Sequence, residues 1–210
     1  MFGRSRYPAR QGSRQQEGQR HRGGSPAFDE ATFSSILIQG ISAKISGDFY
    51  SADSLLKVCL NLNPKSGVCY FELSSISWDK GQKNLAIEQA QKAVELSPKN
   101  EWYLANLAVF YRKIKNYQSA GICFEKLFEK YPERISYLFS LAECQMDNKS
   151  YKKALKSFNK IELINGVNQE LSIQKHQILV YLKKHKKALE ELKKLIECHP
   201  GFVLQKRKKR

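Results

Sequence analysis

The chain has 210 residues, 41% hydrophobic and 27% charged, a balance that suits a soluble helical protein, and no run of about 18 apolar residues offers a membrane span. Its formal charge of +16 invites a nucleic-acid reading, but residues 183–210 hold 11 Lys/Arg against 3 acids and residues 1–30 hold 6 against 3, leaving the middle only mildly basic at +5. Five cysteines (Cys59, Cys69, Cys123, Cys144, Cys198) without CxxC or Cys/His ligand spacing read as reduced thiols, Cys59 as a small buried hydrophobe.

Residues 1–30 form an arm rich in Arg, Gln, Gly and Ser, with too little apolar surface to repay ordering, so disorder is expected there. The arm lacks the apolar central segment of a secretory signal, which points to a cytoplasmic location, or a periplasmic or membrane-associated one if the natural N-terminus differs. Its alternation of Arg with Gly and Gln is also compatible with a mitochondrial-type presequence or with loose phosphate contacts.

Beyond the arm, helix breakers fall at a fixed interval. Pro64, Pro98, Pro132 and Pro200 are separated by 34, 34 and 68 residues, and Gly166 occupies the missing rung. Ala52, Ala86, Ala120, Ala154 and Ala188 recur every 34 residues, preceded three positions earlier by Phe49, Lys83, Tyr117, Tyr151 and His185. Within each frame two amphipathic helical patterns flank a short polar turn, and small residues in both let the helices pack closely.

The first frame, 33–66, predicts helices over 33–46 and 50–63, with Gly40 at the small position, Gly47 at the turn, and Ala52 and Leu56 toward the partner helix. The second, 67–100, keeps Leu73, Ser74, Gly81, Ala86 and Ala93, with Lys83 in place of the turn aromatic. The third, 101–134, is the fullest match, with Leu107, Ala108, Tyr111, Tyr117, Ala120 and Phe124 around the turn Lys113-Ile114-Lys115-Asn116. The fourth, 135–168, closes on Asn165-Gly166, where a left-handed glycine cap is expected. The fifth, 169–202, is the most divergent, with His176 at the small position, yet Ala188, Leu192, Leu195 and Pro200 hold the register. Residues 31–202 thus read as one domain, followed by a basic tail, 203–210.

This 34-residue unit, with small residues in both helices, a turn aromatic, a large apolar residue four after the alanine and a closing proline, resembles the tetratricopeptide repeat. The wording AIEQAQKAVELSPKNEWYLANLAVFYRKIKNYQSAGICFEKLFEKYPE, with LFSLAE and LSIQKHQILVYLKK, is similar to bacterial, particularly Bacteroidetes-type, arrays of that family. The resemblance implies an all-α fold, an α-solenoid (right-handed superhelix) of about five antiparallel helix pairs whose first helices line a concave groove. It also implies non-catalytic binding of a protein or peptide partner.

The same frame names the groove positions. They are Leu37, Ile41 and Lys44; Phe71, Ser75, Trp78 and Asp79; and Trp102, Ala105, Val109, Arg112 and Lys113. Repeats four and five add Phe139, Glu143, Met146 and Asp147, then Ile173, Gln177, Val180 and Tyr181. Both tryptophans fall in this set, either as anchors for a partner or as packing between neighbouring repeats. The family's two-carboxylate clamp of Lys and Asn is absent, its positions holding Leu37 and Ile41, Phe71 and Ser75, and Ala105 and Val109, so an apolar peptide or a folded protein is the better ligand class.

No phosphate loop, HExxH, nucleophile elbow or metal-ligand cluster is found, and His21, His176, His185 and His199 are scattered, so neither catalysis nor a cofactor is expected. Two further readings stay open. A nucleic-acid-associated protein would use basic tails, with Lys206, Arg207, Lys208, Lys209 and Arg210 contacting phosphates. An assembly module would stack through a fifth repeat that lacks the polar capping helix.

Overall fold

The computed structural model describes residues 29–198, and within them the chain forms ten α-helices and no strand. In chain order they are α1 (Glu30–Ile45), α2 (Phe49–Leu62), α3 (Gly67–Asp79), α4 (Lys83–Leu96) and α5 (Glu101–Lys113). There follow α6 (Tyr117–Lys130), α7 (Ile135–Asp147), α8 (Tyr151–Asn165), α9 (Gln169–Tyr181) and α10 (His185–Cys198). Each odd helix, here the A helix, packs on the even helix after it, the B helix, and each B helix packs on the next A helix. The result is an all-α helical-repeat solenoid. Of the arm expected over 1–30, residues 1–28 lie outside the described residues, and Asp29 and Glu30 cap and open α1; the basic tail and Pro200 also lie outside.

The 34-residue register has a packing cause. Ala52, Ala86, Ala120, Ala154 and Ala188 are all 0–2% exposed, because each sits where its B helix crosses the partner A helix. On the A side Gly40, Ser74, Ala108 and Ala142 are buried as well. A Cβ added to Gly40 would lie 3.2 Å from Leu56 Cγ, so the first crossing is tight. In the fifth pair the bulkier His176 is accommodated half-buried, its Nδ1 3.0 Å from the carbonyl oxygen of Ala188. The core runs as two adjoining clusters, one around Leu56, Leu73 and Ile76, the other from Ala86 through Phe124 and Phe158 to Ile178.

Helix ends follow local chemistry. Asp29 accepts from the backbone N–H of Ala31 and starts α1 at Glu30, three residues before the expected boundary. Asn100, Asn116 and Asn168 cap α5, α6 and α9 in the same way. Gly166 ends α8, but with φ 77° and ψ −177°, extended on the positive-φ side and not the left-handed helical cap anticipated. Cys59, Cys69, Cys123 and Cys144 are buried free thiols, and burial pushes Cys59, Cys123 and Cys144 up to about 11, which keeps them protonated and unreactive.

The turn joining A to B is the same in all five pairs. The N–H of its third residue bonds back to the carbonyl three before, and the next N–H to the carbonyl five before, as in Lys149 N–H to Met146 and Ser150 N–H to Gln145. This double closure needs a positive φ at the C′ position. Gly47 and Gly81 supply it at 85° and 77°, but Lys115, Lys149 and Lys183 adopt it at 63°, 57° and 57°. A side chain in that region costs roughly 1–2 kcal/mol. Lys149→Gly is therefore expected to raise stability by about 1 kcal/mol, read as a higher urea midpoint at unchanged m-value.

Candidate functional site

The groove positions fall along the A helices, and Phe139 among them packs on its own B helix at Phe158. Leu37, Ile41, Phe71, Ser75, Val109, Phe139 and Ile173 are half-buried, while Trp102, Arg112, Lys113 and Tyr181 are exposed. The two tryptophans behave differently. Trp78 stacks face to face on Phe110, ring centroids 4.4 Å apart and 7° from parallel, and the Lys113 ammonium lies over its ring at 5.3 Å. One face of Trp78 is thus given to the next repeat, and its ring is half-buried against the core. Trp102 is 65% exposed, with the Arg134 guanidinium 6.0 Å from its centroid and Arg134 paired to Glu101.

The tryptophans do not converge on one patch. Trp102 lies in the first turn of α5, whereas Trp78 meets the carboxyl end of α5 at Lys113, about 16 Å further along at 1.5 Å per residue. Two other aromatic groove residues bridge repeats, Phe71 stacking on Tyr103 at 4.8 Å and Tyr181 on Tyr151 at 4.9 Å, while Phe139 meets Phe158 of its own B helix edge-on at 5.7 Å. These partners lie roughly one repeat away in sequence or on the paired helix. Periodicity therefore shows which face a residue occupies but not which neighbour takes its ring.

At the carboxyl ends of α5 and α7 an open cleft of about 380 Å³ is lined by Arg112, Tyr117, Glu143, Met146, Asp147 and Gln174. Arg112 donates to Glu143 at 2.8 Å, both side chains more than 40% exposed, so the two groove charges hold each other across repeats three and four. An exposed pair of this kind contributes little to stability and opens readily to a competing carboxylate or guanidinium. No cluster of His, Cys, Asp and Glu among the described residues is arranged to hold a metal.

A second charged group was not legible from the repeat pattern. Lys175 on α9 stands where the preceding A helices place Leu73, Leu107 and Leu141, and its side chain is 4% exposed. Its ammonium reaches Glu162 of α8 at 2.9 Å and Glu191 of α10 at 2.8 Å, and Lys194 reaches Glu162 at 2.7 Å. Burial raises the Glu162 carboxyl, but hydrogen bonds from Lys194 and Lys175 outweigh it and hold the group below its ordinary range. The cluster ties the fourth repeat to the fifth.

On α10 Leu189 is exposed by 55% and Ile196 by 42%, whereas their counterparts Leu155 and Phe128 are half-buried and buried against the core. No described helix is long and apolar enough to cross a membrane. The tail residues Lys206 to Arg210 lie outside the described residues.

Comparison with known proteins bears on this architecture. A family profile described as "Tetratricopeptide repeat" matches residues 68–100, and one described as "Anaphase-promoting complex, cyclosome, subunit 3" matches residues 113–195. Among solved structures, "Crystal structure of MamA protein" is 19% identical with a TM-score of 0.67, over 82% of this chain and 94% of that one. "MamA 41-end from Desulfovibrio magneticus RS-1" is 15% identical with a TM-score of 0.64, over 84% and 99%. At this identity the likeness is one of fold. No curated protein matches the chain.

Proposed function

The chain is a tetratricopeptide-repeat protein, and from that premise we propose that it is a non-catalytic scaffold that binds a peptide or protein segment along its A-helix face. Trp102 carries the reading. A tryptophan 65% exposed on the face that each repeat leaves open has its ring available to a partner, flanked by the Arg134 guanidinium that would close over an inserted apolar side chain. From there the face runs through half-buried Val109 to the Arg112–Glu143 pair, an apolar strip ending in two charges that fits an amphipathic segment.

The test uses a peptide selected from a display library against the full chain. Trp102→Ala should weaken its binding about 30-fold, the effect of losing an anchor of roughly 2 kcal/mol. Its melting temperature should stay within a degree or so of the parent, since the ring covers little of the core. Unchanged affinity in the Trp102→Ala protein would place the binding face elsewhere.

A further inference from the structure

The A-to-B turns of consecutive repeats lie along one edge of the solenoid. Contacts between successive turns show this: Lys113 over Trp78, Arg112 to Glu143, and Tyr151 on Tyr181. In repeats three to five the positive-φ position on that edge is lysine, at Lys115, Lys149 and Lys183, although the same bonds are made at lower cost by Gly47 and Gly81. Three consecutive repeats thus keep a cation where backbone sterics ask for glycine. All three side chains are exposed, and none is in an ion pair among the described residues.

The surroundings reinforce the charge. Eight-residue turn segments at 112–119, 146–153 and 180–187 carry +3, +2 and +4, against 0 and +1 for 44–51 and 78–85. Lys153 and Lys184 extend the row, and among the described residues Arg112, held by Glu143, is the one cation of the three basic segments in an ion pair.

We infer that this edge, from Lys115 through Lys149 to Lys183, binds the phosphate backbone of a nucleic acid without reading its sequence. A row of cations repeating once per structural unit complements a polyanion of regular charge spacing. Lysine meets a phosphate as a point charge, without the bidentate fork that reads base edges. An anionic membrane fits less well, because an interfacial surface needs a continuous apolar flank, and the exposed apolar side chains, Ile114 on the first turn and Val180 and Tyr181 on the third, are separated by a turn that exposes none. The row borders the proposed peptide face at Arg112 and Lys113, but its three lysines lie outside that face, so the inference stands or falls independently of it.

The test is the affinity of the full chain for a labelled mixed-sequence DNA duplex of about 20 base pairs, measured by anisotropy between about 50 and 300 mM salt. Lys115→Gly, Lys149→Gly and Lys183→Gly combined should weaken binding at least tenfold near 100 mM salt and flatten the log–log salt slope by about 3. The same protein should melt at a higher temperature than the parent, so lost binding would not reflect lost folding. Lys57→Ala, Lys65→Ala and Lys92→Ala combined remove equal charge from the first two repeats and should leave the slope unchanged. The inference is overturned if the parent does not bind duplex, if the glycine triple matches it in affinity and slope, or if the control triple falls as far. Binding to phosphatidylserine vesicles without binding to duplex overturns it as well.

Discussion

Lys175→Ala should destabilise the array by about 3–5 kcal/mol, lowering the urea midpoint and uncoupling the last helix pair first. Its side chain is 4% exposed and its ammonium holds two carboxylates, so truncation leaves Glu162 and Glu191 facing each other in a nearly dry space with Lys194 as counter-charge to Glu162. Most of the loss comes from those stranded charges, not from the net worth of the bridge. A protein carrying Lys175→Leu, Glu162→Val and Glu191→Leu restores side chains that earlier repeats use at these positions, Leu73, Val94 and Leu55, and should recover stability to the parent's level or above. If Lys175→Ala alone is neutral, the cluster is not closed in solution.

The same cluster sets an acid limit. Glu162 titrates below its ordinary value in the folded chain, so the unfolded chain takes up the proton first as pH falls. Its contribution is present in full above the ordinary carboxylate range and is lost as pH drops through the lowered folded value. Glu162→Gln should accordingly flatten the melting temperature below about pH 4.5 relative to the parent.

Trp78→Ala should cost roughly 3 kcal/mol and lower the melting temperature by several degrees, whereas the outward-pointing alternative requires almost no change. The ring lies flat on Phe110, itself 4% exposed, so removing it opens a gap between repeats two and three and leaves Phe110 without its neighbour. Trp78→Phe keeps a stacked aromatic and should lose less than about 1.5 kcal/mol. Thermal melts of the three proteins separate the cases: if Trp78→Ala melts with the parent, the stack contributes nothing and Trp78 belongs with Trp102 among the free anchors.

Trp78 and Trp102 mark the limit of reading a binding face from a repeat frame. Both sit on the A-helix face, and the sequence places them there equally well. What differs is the residue one repeat on: Trp78 meets Phe110 at the carboxyl end of α5, while Trp102, at the amino end, has the Arg134 guanidinium 6.0 Å from its ring and stays 65% exposed. The lysine turns are a similar case. A polar turn at Lys113-Ile114-Lys115-Asn116 is visible in the sequence, but that its third residue takes a positive φ emerges only from the bonds that close it.

By itself the sequence determined that the chain is a stack of helix pairs, where each crossing falls and which side chains are small enough to allow it. The reason is that those contacts recur within a single 34-residue unit, so one steric requirement is written five times, at Ala52 through Ala188. Only the tertiary structure decided which groups meet between units. The stacking of Trp78, the burial of Lys175 between Glu162 and Glu191 and the alignment of Lys115, Lys149 and Lys183 on one edge each depend on the rotation from one repeat to the next. The stacked and buried pairs occur once and leave no period in the sequence, while the lysines, which do recur every 34 residues, reveal in the sequence neither the positive φ they adopt nor the edge they share.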